Sequence, residues 1–354
     1  MRSAQAMRWC LVVPATMALG ALFAYLKVPA GWIVAAIVAS ASCALITQEE
    51  LRVHRGVSRV GRSMIAILAS APIIASDPWE LVHFVLPGLV VSVITIGIGF
   101  AGGLLLARAS ESTSQETGIL SMLAGGASVM PVLAQEVGAD FRYVTLTQYL
   151  RLLCVTLSLP LLVPMMDVPH GGVVHPHIAH SVRGFICIAL IVALGEPLGK
   201  LIRLPAPTIL GPMALTITVA QFFPDPTVLA LPSSLKVVAF VSIGWSAGGA
   251  LSMQALKDFA RQLPATFTFI GVLLGTCALV AWPLRHWLHT SYFEAYLATS
   301  PGGLETVLAL ADEFGAGPSV AAIQVLRLIA ILLIAGYLPR IVRLITRISG
   351  TPSQ

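Results

Sequence analysis

The most regular feature of the chain is the alternation of long apolar runs with short polar segments. A membrane-spanning helix needs about 20 apolar residues. Runs of roughly that size cover residues 9–26, 29–47, 60–76, 81–107, 144–166, 183–202, 206–223, 235–253, 265–284 and 319–338. The pattern predicts an all-α integral membrane protein with about ten spans. A signal peptide is the alternative for the first run, because Met1–Arg8 supplies a basic start.

Two further apolar stretches, 113–137 and 292–315, are too rich in glycine and polar residues to be simple spans. Arg108 and Arg142 flank the first of them, and both are expected on the cytoplasmic side of the membrane. This expectation is met only if the stretch enters the membrane and returns to the same side. We therefore expect each stretch to form a broken or re-entrant helix.

An internal repeat divides the chain into two similar halves. Related segments recur at an offset of 176 or 177 residues. They pair Leu26–Ala30 with Ile202–Ala206, Gly125-Gly126 with Gly302-Gly303, and Gln148 and Arg151 with Gln324 and Arg327. The repeat predicts a first membrane module at 1–166, a linker at 167–182 and a second module at 183–347.

Basic residues predict the orientation of the two modules, since Lys and Arg favour cytoplasmic loops. Arg2 and Arg8 place the amino terminus inside, and the linker, with no Lys or Arg before its end, lies outside. Two parallel modules would expose four basic residues on the outside, namely Lys200, Arg203, Lys257 and Arg261. With inverted modules, Arg285 is the one clear case of a basic residue placed outside. The sequence thus predicts two tandem, inverted repeats of about five transmembrane helices, plus one broken or re-entrant helix each.

Composition supports a membrane protein. Hydrophobic residues make up 57% of the chain and charged residues 10%, with a mean hydropathy of +0.89. These values exclude a soluble enzyme, a disordered regulator and a free nucleic-acid binder. The net charge of +5 is explained by basic loops facing anionic lipid. The lipid bilayer is the expected partner, direct nucleic-acid binding is not expected, and a homo-oligomer is left open.

The two glycine-rich stretches are the first candidates for a binding site. Gly and Pro interrupt helices, and an interrupted helix leaves backbone groups unpaired, which is tolerated only against protein or a watery cavity. Freed N–H groups attract anions and freed carbonyls attract cations. Close helix packing through small residues is the alternative. The candidate substrate-binding residues here are Gly125, Gly126, Ser128, Ser300, Pro301, Gly302, Gly303 and Glu305.

The second candidate feature is a pair of arginines within apolar helices. Arg151 and Arg327 each follow a glutamine, Gln148 and Gln324, by three residues, a spacing that places both side chains on one helical face. An ionisable group within a span is a candidate functional residue. The alternative is a structural clamp that pairs with a carboxylate such as Glu305 or caps free carbonyls. The two roles are compatible.

Several other polar residues have weaker functional interpretations. Carboxylates near the breaks could couple transport to protons or sodium, or could be solvated at the membrane rim: Glu136, Asp140, Asp312 and Glu313, with Glu196 a lesser candidate. His175, His177 and His180 have no spacing typical of zinc sites, and a solvated loop is favoured. We expect no metal, no cofactor and no catalytic residues. The five cysteines are expected to be small buried side chains.

At the repeated elements the sequence resembles the AbrB family of bacterial membrane proteins. The resemblance is carried by Leu123–Arg151, Ser300–Arg327 and Pro205–Pro212, and extends over nearly the whole chain. The first copy departs from the second by having Ala124 where the second has Pro301. The resemblance implies a duplicated membrane domain and a multi-pass protein of the bacterial inner membrane. Members are labelled regulators of gene expression or ammonia monooxygenases, and the family is similar to inverted-repeat transporters of cations and organic anions.

Three functional hypotheses follow. The leading one is a secondary transporter of a small solute, with anions among the candidates, bound between the two glycine-rich breaks. The alternative is a membrane-embedded regulator of gene expression that acts through a partner. A monooxygenase is disfavoured because the sequence offers no His and carboxylate cluster within the membrane to hold copper or iron.

Overall fold

The computed structural model describes residues 2–26, 28, 30–109, 113–124, 130, 134–135, 137–162, 166, 182–204, 206–223, 226–251, 253, 257, 260 and 262–349. Within these ranges the regular structure is helical. The α-helices are α1 (Arg2–Tyr25), α2 (Gly31–Thr47), α3 (Arg55–Ile74), α4 (Pro78–His83), α5 (Val85–Ala109), α6 (Gln115–Met122), α7 (Phe141–Leu162), α8 (Val182–Leu201), α9 (Pro207–Ala220), α10 (Ser233–Gly249), α11 (Leu263–Leu288), α12 (Tyr292–Thr299), α13 (Leu304–Glu313) and α14 (Pro318–Ser349).

Every apolar run identified in the sequence coincides with one or two of these helices, so the all-α prediction is confirmed. Among the described residues, five helical stretches are long and apolar enough to cross a membrane: Met7–Tyr25, Arg55–Ile74, Leu81–Arg108, Arg183–Leu201 and Leu263–Leu288. Shorter apolar helices cover Gly31–Thr47, Pro207–Ala220 and Pro318–Ile331. The chain therefore has the helices of a multi-span membrane protein, while the count of ten spans stays a prediction.

Two short helices follow equivalent sharp turns. Ala30 precedes α2 with a φ of 53°, and Ala206 precedes α9 with a φ of 48°. This left-handed conformation is uncommon for residues other than glycine. Both alanines belong to the repeated Pro-Ala segments, so the turn recurs at the offset of 176 residues seen in the sequence.

Helices from the two halves of the chain pack against one another. Helices α3 and α10 pack together, α2 of the first half packs on α10, and α9 of the second half packs on α3. Gly244 on α10 permits the close approach to α2, since a Cβ atom at this position would lie 2.6 Å from both the Cβ of Ala36 and the carbonyl oxygen of Ile33. The contact between the halves thus depends on the missing side chain.

The second glycine-rich stretch forms a helical hairpin. Helix α12 begins after Ser291, whose hydroxyl accepts a hydrogen bond from the backbone N–H of Glu294. The Glu294 carboxylate in turn accepts one from the N–H of Gly317, the residue before α14. Helices α12 and α14 therefore begin side by side. Since α13 connects them, the chain runs out along α12, reverses at residues 300–303 and returns along α13.

The first glycine-rich stretch begins and ends in the same manner. Helix α6 begins after Ser114, whose hydroxyl accepts from the N–H of Thr117. The Thr117 hydroxyl accepts from the N–H of Asp140, the residue before α7, at 2.9 Å. Thr117 and Asp140 are the counterparts of Glu294 and Gly317 at the offset of 177 residues. The ends of this stretch are thus held together as in the second half.

We expect Gly244→Ala to destabilise the fold, because the added methyl group overpacks the α2–α10 contact at a cost of about 1–3 kcal/mol. The matched control is Gly271→Ala, since a Cβ at Gly271 on α11 would meet no atom within 4 Å. Thermal unfolding in detergent compares the two variants. Equal melting temperatures would contradict the close packing of the two halves.

Candidate functional site

The tip of the second hairpin is a short buried segment of irregular backbone. Helix α12 ends at Thr299, and α13 begins after Gly303, which provides no side-chain cap for the first turn of that helix. A Cβ atom at Gly302 would lie 3.1 Å from Cγ1 of Val155 on α7. The glycine therefore lets a helix of the first half approach the tip of the second.

Gln324 on α14 binds the carboxyl end of α12. Its side-chain nitrogen donates to the carbonyl oxygens of Leu297 at 2.7 Å, Ala298 at 3.2 Å and Ser300 at 3.2 Å. Its side-chain oxygen remains available as an acceptor. The amide group thus binds backbone that the interrupted helix leaves partly unpaired.

Arg327 completes this clamp from the next turn of α14. One guanidinium nitrogen, Nη1, donates to the carbonyl oxygens of Ser300 at 2.5 Å and Thr299 at 3.2 Å. The other, Nη2, donates to the side-chain oxygen of Gln324 at 2.6 Å. The predicted common face of the glutamine and arginine is therefore confirmed.

The first half contains the same clamp. The side-chain nitrogen of Gln148 donates to the carbonyl oxygens of Leu120 at 2.8 Å and Leu123 at 3.1 Å. Arg151 donates from Nη1 to Leu123 at 2.9 Å and from Nη2 to Gln148 at 2.7 Å. Leu120 and Leu123 are the counterparts of Leu297 and Ser300, so each clamp binds the same positions of its own broken helix.

The electrostatics of the clamps follow from the helix ends that they bind. The carboxyl end of a helix carries a partial charge of about −0.5 and unpaired carbonyls, which favour a bound cation. Arg151 is 3% exposed and Arg327 is 2% exposed. The ion pairs found among the described side chains are formed by basic residues other than these two arginines. Of the alternatives for these arginines, capping of free carbonyls is thus the one that the structure shows.

Two buried hydroxyl groups flank the second break. Ser300 is fully buried and Thr306, in the first turn of α13, is 1% exposed. Within the described part of the chain, neither side-chain oxygen has a hydrogen-bond partner. Burial of an unpartnered hydroxyl is costly, so both positions are suited to a polar ligand. Ser300 was predicted, whereas Thr306 was missed, although its place three residues after a glycine break could have suggested it.

Some predicted residues cannot be placed in this geometry. Gly125, Gly126, Ser128 and Glu136 lie outside the described residues, as does the histidine-bearing linker. The backbone of Glu305 lies in α13, but its side chain is outside the description. The described part of the site is therefore the two clamps and the second hairpin tip, which includes Pro301.

The carboxylates considered for ion coupling have separate roles. Asp140 accepts from the backbone N–H groups of Arg142 at 2.9 Å and Tyr143 at 3.1 Å, and so caps α7. Asp312 forms an ion pair with Lys236 on α10 at 3.0 Å. These contacts assign both side chains to structure at the ends of helices.

Glu313 differs from these because its described partner is a neutral backbone group. Its carboxylate accepts from the N–H of Ala30 at 2.8 Å, at the turn before α2. The residue lies outside the helical stretches long enough to span a membrane. Burial raises the pKa of Glu313 to about 7, the hydrogen bond from Ala30 opposes this rise, and the charge of Asp312 adds to it.

No group of three potential metal ligands occurs in the part of the chain that the structure describes. All five cysteines are described, and each is a free thiol. Glu196, the lesser coupling candidate, forms ion pairs with Arg59 and Lys200.

The family profile described as "Transition state regulatory protein AbrB" matches residues 32–345. The chain belongs to this family. It is 38% identical over 250 residues to "Putative regulator AbrB" of Escherichia coli K12, covering 69% of this chain and 71% of that protein. It is 25% identical over 372 residues to "Uncharacterized protein YhjN" of Bacillus subtilis 168, covering 97% of this chain and 94% of the relative.

We expect Arg327→Lys to destabilise this AbrB-family protein by about 2–3 kcal/mol. The lysine ammonium group lacks the planar fork with which arginine binds two carbonyls and Gln324 together. Each buried carbonyl left unpaired costs about 1–3 kcal/mol. Arg151→Lys should have a similar effect, since its contacts are equivalent. Arg52→Lys is the control, because Arg52 is 82% exposed. Detergent melting curves measure all three, and a melting temperature unchanged in both clamp variants would contradict the clamps.

Proposed function

We propose that this protein is a secondary transporter of a small anionic solute that binds at the tip of the second hairpin, beside helix α7 of the first half. The observation that carries the proposal is the buried, duplicated Gln–Arg clamp on two broken helices. Buried arginines in a membrane protein are costly, and they mark substrate or ion pathways more often than packing contacts.

The charge at the second tip favours an anion. The Arg327 side chain offsets the partial negative charge at the end of α12, which amounts to about half an elementary charge. The amino end of α13 contributes a partial positive charge of about the same size. The tip therefore has a net positive charge of about one, without counting the side chain of Glu305 or a ligand.

The tip also offers suitable hydrogen-bond donors. The first N–H groups of α13 have no side-chain cap at Gly303, and helix amino ends are established anion sites. Ser300 precedes this helix start and Thr306 lies in its first turn, and the hydroxyl groups of both are unpartnered within the described part of the chain. A small carboxylate fits this arrangement, since its oxygens accept several hydrogen bonds at once.

The interlocked, duplicated architecture supports transport. Inverted repeats with discontinuous helices recur in secondary transporters, whose sites lie near the midplane between the repeats. The basic residues along this chain favour such an inversion, and Gly302 and Val155 bring the second tip against the first half. The proposal therefore includes two inverted modules, with the linker outside and both chain ends in the cytoplasm.

The names of the relatives raise a second candidate function. The family description and the relative from Escherichia coli both refer to regulation. A broken, clamped helix hairpin is a device for binding solutes, not for reading DNA, whose sequence is read through base edges in its grooves. We infer that any effect of this protein on gene expression is indirect and follows from the solute it moves.

Transport is tested with purified protein in liposomes, given an ion gradient and a panel of radiolabelled mono- and dicarboxylates. We expect Ser300→Ala and Thr306→Val to lower uptake about tenfold each, because each removes a hydrogen bond to a charged ligand worth about 1.5–3 kcal/mol. Ser319→Ala is the control, since Ser319 is another buried hydroxyl without a described partner but lies at the start of α14. No gradient-dependent uptake of any member of the panel by the unaltered protein would refute the proposal.

Glu313 is the proposed site of proton coupling, because its carboxyl group can change protonation near neutral pH. Its folded-state pKa exceeds its ordinary value of 4.5. Its contribution to stability is therefore complete below about pH 4.5 and is lost as the pH rises through about 7. Asp312, the residue before Glu313, forms an ion pair with Lys236.

In the unaltered protein we expect the melting temperature to fall between pH 5 and pH 8, because the buried Glu313 carboxyl ionises in this range. In Glu313→Gln this decline should be smaller, since glutamine does not ionise. In proteoliposomes the same variant should make anion uptake independent of an imposed proton gradient. Asp312→Asn removes the neighbouring charge that adds to the raised pKa of Glu313, so it should move the decline to lower pH without abolishing it. An unchanged pH profile of melting and uptake in Glu313→Gln would contradict this assignment.

A further inference from the structure

A basic groove that shares no lining residue with the hairpin tip lies at the ends of several helices. It is formed where α3 begins, α8 ends and α9 begins, and it encloses about 480 Å³. Its polar lining comes from Arg55, Ser58, Arg59, Arg62, Glu196 and Thr208. The groove is thus shared by the two halves of the chain.

The groove carries an excess of positive charge. Glu196 is its acidic residue, and its two carboxylate oxygens contact Arg59 at 2.8 Å and Lys200 at 2.5 Å. Among the described residues that line the groove, three are basic, Arg55, Arg59 and Arg62, and one, Glu196, is acidic. The amino end of the 20-residue helix α3 adds a partial positive charge at the same place. The groove therefore suits a phosphate-bearing ligand.

The position of the groove indicates where that phosphate is located. Helices α3 and α8 are both long and apolar enough to cross a membrane, and the groove lies at their ends. The three arginines that line it belong to a basic loop and helix start that the sequence predicts on the cytoplasmic side. A ligand in the groove would lie at the level of the lipid headgroups of the anionic leaflet.

Helix α8, which contributes Glu196 to the groove, also carries exposed apolar residues. Nη2 of Arg59 donates to the carbonyl oxygen of Ala193 at 3.0 Å. Around this residue, Ile186, Leu190 and Leu194 are 55%, 50% and 46% exposed. Spacing of four residues places these side chains in one stripe along the helix. A ligand with a charged head and apolar chains would contact both the groove and the stripe.

We propose that this groove binds the headgroup of an anionic two-chain phospholipid, with its acyl chains along the exposed stripe of α8. Basic pockets between helix ends on the cytoplasmic side recognise such headgroups. A free phosphate ion would use the arginines but not the adjoining apolar stripe. The site joins α3 of the first half to α8 and α9 of the second, so bound lipid stabilises the contact between the halves. The inference does not depend on the transport proposal.

The test uses purified full-length protein in detergent, titrated with phosphatidylglycerol and, separately, phosphatidylcholine, with bound lipid counted by native mass spectrometry. We expect tighter binding of phosphatidylglycerol, and Arg55→Gln and Arg62→Gln each to weaken it about fivefold, since one basic side chain near a lipid surface contributes about that factor. Arg59 is left intact because its loss would leave Glu196 short of a partner. Arg52→Gln is the matched control, a neighbouring exposed arginine outside the groove lining.

Each outcome decides the proposal. The proposal would be overturned if the two lipids bound equally well. It would also be overturned if both groove variants bound phosphatidylglycerol as well as Arg52→Gln does. Inorganic phosphate and soluble glycerophosphoglycerol form the third arm of the experiment. If either displaces phosphatidylglycerol fully at micromolar concentration, the groove is a site for a soluble anion and the lipid assignment is wrong. Melting curves of each variant confirm that loss of binding is not loss of folding.

Discussion

The architecture depends on how the protein satisfies the ends of two helices that stop inside an apolar environment. A helix end leaves four carbonyls without partners within the helix, and lipid supplies no donors to replace them. In both halves a glutamine and an arginine from the next long helix donate to these carbonyls. The clamps thereby make the hairpin reversal possible, and the reversal creates a tip with free amino-end donors.

Much of this arrangement was predictable because it is local or repeated. Glutamine and arginine three residues apart on a helix must share a face, and the structure joins each pair directly. The Pro-Ala segments recur in sequence and the left-handed turn at Ala30 and Ala206 recurs with them. The positions of the helices were predictable because a long apolar run is a local feature of the sequence. Its burial does not depend on which partner it packs against.

The choice of partner was not predictable. Sequence spacing left Arg327 free to bind a carboxylate, a solute or a helix end, and the helix end is shown as a partner only by the packing of α12 against α14. The Asp312–Lys236 pair joins residues 76 positions apart, so no local pattern announces it. Thr306 was missed for a related reason, since a hydroxyl in an apolar helix usually bonds its own backbone and its lack of a partner is visible only in three dimensions.

The structural role of the arginines is compatible with the anion binding that we propose. An arginine that already donates to backbone carbonyls and to a glutamine has fewer N–H groups left for a two-pronged ion pair with a solute, so in this proposal it acts mainly through its field. Such a field lowers the cost of bringing a charge into the bundle without holding that charge in a fixed contact. A transporter must release its solute on the far side, and a tightly paired arginine would slow that release. Under the proposed function, the donors that would contact the solute are neutral, namely the backbone of α13 and the hydroxyls of Ser300 and Thr306, while the attracting charge belongs to a side chain bound to the protein itself.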